Sequence, residues 1–435
     1  MAGAIPGRRA SRPRHVASML RRPHRIAIAS GHHPRGAKED GIMRTIFLAM
    51  AATSSLILLL AQWLAQRKLR RAQPAGTLLP PISVLRPVKG LDEGMYENLA
   101  ALARQDYPQF EIVICAEDAG DPALRCARRL QAEFPDVRIT VLVGSAQGGL
   151  NPKVRLLDGM VRQARFDTLL ISDSNVRPGP DYLTRIARAI PAGENAMVSC
   201  LVAGIAERSA GAAMENLHLN AYIAPSVALA DAAGCACVIG KSMLFRRSDL
   251  MRLGGLDPVR DVLAEDYLLG RTFQRAGGKV VLAPEVAYVF NQRRTIRDFL
   301  GRHLRWCQMR FLVSPLTFVL ELLLNPTPMW LALAWAGSPM IGAAGVAAKG
   351  LMDMVTSKRL TGRWPSAWSL LLVPVKDILM LAVWSAAFLR RRICWRGNAL
   401  LMSWGSRLSP RPAQGAGVAA DASLGGDAEV TEEPA

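Results

Sequence analysis

Four apolar runs recur at even intervals through the middle of the chain: Ile82–Val88, Glu111–Cys115, Arg138–Val143 and Thr168–Ser172. Each begins about 28 residues after the one before. The stretches between them, such as Gly94–Arg104 and Pro122–Glu133, repeat apolar residues at helical spacing. This rhythm predicts βαβ units, hence a parallel sheet with helices on its faces. Two further runs, Cys237–Phe245 and Lys279–Pro284, predict strands. Between them, Ala264-Glu265-Asp266-Tyr267 opens a helix that runs to Arg275. Parallel sheets bind ligands beyond the carboxyl ends of their strands, so the residues at those ends matter most.

Longer apolar stretches flank this region. Ile46 to Leu64 carries no charge for 19 residues, just enough for a spanning helix. It is too long for a signal-peptide core, and no A-x-A site follows it. A second zone, Phe311 to Met352, is interrupted by Glu321 and by Asn325-Pro326-Thr327-Pro328. It reads as a short segment to Leu324 and a fuller one from Met329. A third, Trp368 to Leu389, holds Lys376 and Asp377 at its centre. Adjacent residues do not face each other on a helix, so each needs its own partner. Charges there mark either a functional site or a re-entrant helix with both side chains at the headgroups. Arg67, Lys68, Arg70 and Arg71 follow the first span, and Arg390, Arg391 and Arg392 close the last. By the positive-inside rule, these edges and the α/β region are cytosolic, which makes a multi-pass inner-membrane protein.

Composition supports that division. Half of the 435 residues are apolar and the mean hydropathy is +0.16, which excludes a disordered chain. The net charge is +19, from 54 basic and 35 acidic residues. Residues 1–42 hold nine of the basic residues and only two acidic ones. They read as a basic, disordered arm, possessing the charge to bind nucleic acid or anionic lipid, or else an untranslated leader with the true start at Met43. We take the second view and expect no nucleic-acid partner. Residues 408–435 read as an acidic, solvated tail. Seven cysteines without paired CxxC spacing exclude a disulfide scaffold and a structural zinc site. Cys235 and Cys237 are expected to be free core thiols.

Carboxylates stand where strands end: Glu117-Asp118 after the second run and Asp173-Ser174-Asn175 after the fourth. No GxGxxG, GxxxxGK[ST], HExxH or GxSxG occurs, which argues against dinucleotide, P-loop, zincin and serine-hydrolase chemistry. Asp266 falls in the first turn of its helix, where an acidic residue suits the dipole in any protein. Arg302 and Arg305 lie three apart on an amphipathic stretch, with Trp306 beside them. Interfacial anchoring is their ordinary use.

The order of these elements resembles the ceramide glucosyltransferases, inverting membrane glycosyltransferases of the GT-A fold related to family two. The motifs are "PVKGLD" at 87–92, "NPKV" at 151–154, "SDSNVRPGPDYL" at 172–183, "VIGKSMLFRR" at 238–247, "LAEDY" at 263–267 and "RHLRW" at 302–306. "PVKD" at 374–377 extends the likeness into the last span. The resemblance implies five regions: the arm at 1–42, a transmembrane helix at 43–66, a GT-A domain at 80–310, membrane segments at 311–400 and the tail at 408–435. It implies that Asp118 holds uridine, that Asn151 and Lys153 lie near the nucleotide, and that Arg302, Arg305 and Trp306 flank the diphosphate. Guanidinium forks match phosphate oxygens well. Asp173 would ligate Mg²⁺ or Mn²⁺, although Asn175 replaces the second carboxylate of the usual D-x-D. Asp266 would be the general base. The implied substrates are a UDP-sugar and a membrane lipid hydroxyl, with ceramide favoured over a hopanoid or glycerolipid. A processive polysaccharide synthase shares the carboxylates but usually has Gln where Arg302 stands. A scaffold built on a dead transferase would not need all these groups. The pocket that selects the sugar is not legible here.

Overall fold

The computed structural model describes residues 34–70, 79–146, 148–191, 195–235, 237–395 and 398–410. The arm up to position 33 and the tail from 411 lie outside them. The described residues from Met43 on make one compact unit. The elements begin with helix α1 (Pro34–Leu69) and strand β1 (Ile82–Pro87). α2 (Met95–Ala103), β2 (Phe110–Ala116), α3 (Ala123–Glu133), β3 (Arg138–Val143), α4 (Pro152–Gln163) and β4 (Thr168–Ile171) follow in strict alternation. After α5 (Tyr182–Ala187) comes β5 (Ala196–Ile205), then α6 (Ala210–His218), a π-helical turn (Leu219–Ile223) and α7 (Ala224–Ala232). β6 (Met243–Arg246), α8 (Arg247–Arg252), α9 (Glu265–Arg275) and β7 (Lys279–Phe290) complete the sheet region.

The seven strands lie in the order β3-β2-β1-β4-β6-β5-β7. β1 pairs in parallel with β2 and β4, and β2 with β3. β6 alone runs against its neighbours β4 and β5. The architecture is therefore α/β with a mostly parallel sheet, as the spacing predicts. Two details differ. The run at 237–245 is a strand only from Met243, since the residues before it form a loop and a turn. β7 continues to Phe290 past Pro284; the register with β5 shifts between Cys200 and Leu201, so Pro284 and Glu285 fall in a bulge that needs no proline N–H. β5 escaped notice because its sequence, AMVSCLVAGI, is buried along almost its whole length and does not alternate.

A long amphipathic helix, α10 (Ile296–Val313), leads from the sheet to the apolar region. Thr295 and Asp298 close its start as a reciprocal capping box. Then come α11 (Pro315–Leu320), continued by a 3₁₀ turn to Leu324, and α12 (Thr327–Trp335), bent by 57° at Asn325-Pro326. α13 (Pro339–Thr361) and α14 (Ser369–Ala387) follow. Among the described residues, two helical stretches are long and apolar enough to cross a membrane, Glu39–Leu69 and Ser369–Ala387, and three if the bent pair is one span. The expected full segment from Met329 is instead broken after Trp335, where Gly337 adopts φ 96° and Pro339 starts a new helix.

Lys376 and Asp377 do not reach headgroups. They bond each other directly, against the expectation that neighbours cannot meet, and both are buried. Lys349 bonds Asp377 and Asp353 at 2.6 Å each, and Thr327 donates to Asp377 at 2.5 Å. Two cations and two anions thus form a neutral knot between α12, α13 and α14.

Residues 392–410 are not membrane segment or tail. They form a small antiparallel sheet of β8 (Arg392–Trp395), β9 (Asn398–Ser403) and β10 (Arg407–Pro410). It props the loop before α9: Leu263 N–H donates to Ser406 O at 2.9 Å and Leu408 N–H to Asp261 O at 2.8 Å.

Candidate active site

β1 and β4 run parallel, so their carboxyl ends open on the same edge. Asp92 and Asp173 sit just beyond. β6 runs the other way, so the residues before it reach that edge too. Ile171 pairs with Met243, which sets Asp173, two residues on, opposite Lys241, two residues back. Lys241 bonds Asp173 at 2.8 Å and Asn175 Oδ1 at 2.8 Å. Lys153, in the first turn of α4, bonds Asp173 and Glu265 at 2.9 Å each. A lysine there opposes the helix dipole, so these carboxylates hold it.

The Asp173-Ser174-Asn175 turn rests on Arg86, a fully buried cation in β1. Its guanidinium donates to Ser172 Oγ at 2.8 Å and to the carbonyls of Val176 at 2.5 Å and Ser174 at 3.3 Å. Ser174 bonds Asp92. Arg86 is therefore a positioning residue. Its place inside a strand hid it among apolar neighbours.

Asp266 begins α9 with both oxygens engaged. Gly240 N–H donates to Oδ2 at 2.6 Å and Tyr267 N–H to Oδ1 at 2.7 Å. A Cβ on Gly240 would stand 2.9 Å from Lys153 Nζ and 3.1 Å from Asp266 Oδ2, so glycine leaves the room these groups use. Burial, then the neighbouring Glu265 charge, pushes the Asp266 carboxyl up to about 7, with Lys153 and the two N–H bonds opposing. For Asp173, burial alone would raise the pKa, yet Lys153 and Lys241 hold it far below the carboxylate range.

One cavity of about 1830 Å³ gathers Lys153, Asp173, Lys241, Asp266, Arg302 and Arg305. Trp306 lines it as well, and the Arg302 guanidinium lies 4.8 Å from its ring centre. Arg302 also bonds the buried Glu215 at 3.4 Å, and His303 bonds the other oxygen of Glu215 at 3.1 Å. Glu215 fixes the arginine's direction; nothing in its sequence context, "AMENL", signals this. The same cavity is also lined by apolar side chains: Ile57 of α1, Tyr222 and Leu229 from the π-turn and α7, and Leu320 and Leu324.

Two expected residues stand elsewhere. Asn151 is the buried N-cap of α4: its oxygen accepts from Val154 N–H at 3.2 Å and its amide donates to Val262 O at 2.6 Å. It shapes the lysine-bearing turn and does not line the cavity. Asp118 is exposed beyond β2, closing a turn onto Gly120 N–H at 2.8 Å, whereas its neighbour Glu117 lines the cavity and bonds Arg155. Both cysteines of the pair are free, but only Cys237 packs against the core; Cys235 is exposed, and both line the cavity.

Among the described residues, no three His, Cys, Asp or Glu side chains cluster to hold a metal ion. The hard oxygens that could do so are Asp173 and Asn175, and Lys153 and Lys241 already hold them. A resident divalent cation does not fit between two ammonium groups.

The chain is similar to known proteins. Ceramide glucosyltransferase 1 of Caenorhabditis elegans is 26% identical over 349 residues, covering 78% of this chain and 75% of that one. Ceramide glucosyltransferase of Komagataella phaffii is 30% identical over 228 residues, 45% of each chain. Among solved structures, the mannosyltransferase PcManGT from Pyrobaculum calidifontis in complex with GDP-Man and Mn²⁺ aligns over 80% of this chain and 99% of its own, at 19% identity and a TM-score of 0.48. The family model for Glycosyl transferase family 21 matches residues 45–408, almost all of the described chain from α1 to β10, and the protein belongs to that family.

Proposed function

We propose that this protein transfers glucose from UDP-glucose to the hydroxyl of ceramide, with inversion, at the cytosolic face of a membrane. One observation carries the reading: one cavity is lined by a carboxylate of raised pKa, by a set of cations and by apolar side chains that include Ile57 of the membrane-length helix α1. A nucleotide diphosphate needs the cations. A lipid whose hydroxyl lies at headgroup level needs the apolar lining.

In the single displacement, the acceptor oxygen bonds to the anomeric carbon as the bond from that carbon to the phosphate oxygen breaks. The electron pair leaves with UDP, and the acceptor proton passes to Asp266. The Gly240 and Tyr267 N–H groups fix the orientation of that carboxylate. Burial keeps it basic enough to accept a proton near neutral pH. Arg302 and Arg305, the first aligned by Glu215, line the same cavity as the leaving group's charge would. Asp118, next in sequence to the cavity-lining Glu117, is proposed to meet the uridine.

The test is transfer from radiolabelled UDP-sugars by the purified protein in nanodiscs, with ceramide, diacylglycerol and a hopanoid polyol as acceptors. A chromatographically mobile product from UDP-glucose and ceramide is expected. Product from another lipid alone would replace ceramide, and an immobile polymer would replace the reading with a polysaccharide synthase.

A further inference from the structure

The register of the sheet puts a second ammonium group where one carboxylate of a D-x-D is missing. Asp173 leaves the end of β4, and Lys241 precedes antiparallel β6 at the matching position. Lys153 arrives from α4 on the other side. The two Nζ atoms lie 2.9 and 2.8 Å from different oxygens of Asp173. Lys241 also takes the only side-chain oxygen of Asn175. The Asp173 side chain keeps a quarter of its surface open to the cavity, while Lys153 and Lys241 keep 15% and 10%. The pair therefore lies at the cavity wall and is not sealed inside the fold.

We propose that Lys153 and Lys241 form a diphosphate clamp that supplies, within the protein, the counter-charge otherwise brought by a divalent cation. This rests on the reading that the cavity takes a nucleotide sugar. Three features support it. Asp173 and Glu265 already anchor the two lysines, so the clamp is assembled before any ligand arrives. Lys153 stands in the first turn of α4, where its charge is unfavourable to the dipole and the backbone N–H groups also attract an anion. Lysine is a mobile point charge with three donors, so each Nζ can keep Asp173 while turning another N–H to a phosphate oxygen. Lys241, bonded to Asp173 and Asn175, has a third N–H for a ligand anion, while Lys153, bonded to Asp173, Glu265 and the Gly240 carbonyl, turns the last and longest of these bonds, at 3.4 Å, to the anion.

The experiment measures UDP binding by calorimetry to the full-length protein in nanodiscs, in EDTA and in Mg²⁺. The expected result is binding in EDTA within about tenfold of that in Mg²⁺. Lys241→Gln should weaken binding in EDTA by about tenfold or more, the scale of one charge-assisted contact, and Lys241→Arg should restore most of it. Unfolding temperatures of both variants show whether the site is still formed. Binding by the parent protein only in Mg²⁺ would overturn the clamp while leaving the nucleotide reading intact. Lys241→Gln binding as tightly as the parent in EDTA would do the same. Failure to bind UDP in either buffer would overturn both.

Discussion

Replacing Glu265 by Gln isolates what sets the basicity of Asp266. The raised value, about 7, has two upward causes, burial first and the Glu265 charge second. The substitution keeps the burial and removes the charge. Two charges about 6 Å apart at an effective dielectric of about 20 interact by roughly 3 kcal/mol, about two pKa units. Loss of Glu265 also frees Lys153, bonded to it at 2.9 Å, to act more fully on Asp266. Both changes favour the ionised carboxylate. Asp266 is the active base only when ionised, so kcat/KM in the parent protein should fall about tenfold per pH unit below 7 and level off above. In Glu265→Gln the falling limb should move down by about one to two units, with the plateau reduced by whatever Lys153 loses in position. Steady-state rates from pH 5 to 9 in nanodiscs, at saturating acceptor, read this directly. An acid limb left in place by Glu265→Gln, or one that persists in Asp266→Asn, would refute the assignment.

Other substitutions probe the surroundings. Asp266→Asn should lower turnover by at least two orders of magnitude, the usual range for a lost general base, with UDP binding within a few-fold of the parent. Gly240→Ala places a methyl 2.9 Å from Lys153 Nζ and 3.1 Å from Asp266 Oδ2, so both side-chain ends must leave the positions their bonds give them; turnover should fall about tenfold or more while the unfolding temperature barely changes. Asp173→Ala leaves Lys153 and Lys241 without their shared anchor, and calorimetry should show UDP affinity reduced in both EDTA and Mg²⁺. Asp377→Ala strands Lys376 and Lys349 with Asp353 alone, and unfolding in detergent should show a loss of about 3–5 kcal/mol.

Much of the α/β half was legible because its signals are local. Spacing fixed β1 to β4, and the acidic residues at the strand ends pointed to the edge where the cavity opens. The missed parts depend on contacts between distant segments. Lys241 looks like one more polar residue in "VIGKSML" until β6 is known to run antiparallel to β4, which alone brings it to Asp173. Glu215 acquires meaning only when α6 packs beside α10 and meets Arg302. Asn151 carried the opposite lesson: a polar residue in a distinctive motif serves as a helix cap. The Lys376-Asp377 pair was visible as an anomaly, but its partners Lys349 and Thr327 come from other helices. The sheet at 392–410 was mistaken for membrane and tail because its strands are short and interrupted by arginine and proline.

The account centres on a single displacement at a lipid hydroxyl served by Asp266. The direct measurement is the anomeric proton coupling, by NMR, of the glycolipid made from UDP-α-glucose and ceramide. The β-linked product is the result the account predicts. An α-linked product would mean retention at the anomeric carbon, and would contradict a mechanism with one carboxylate acting as base.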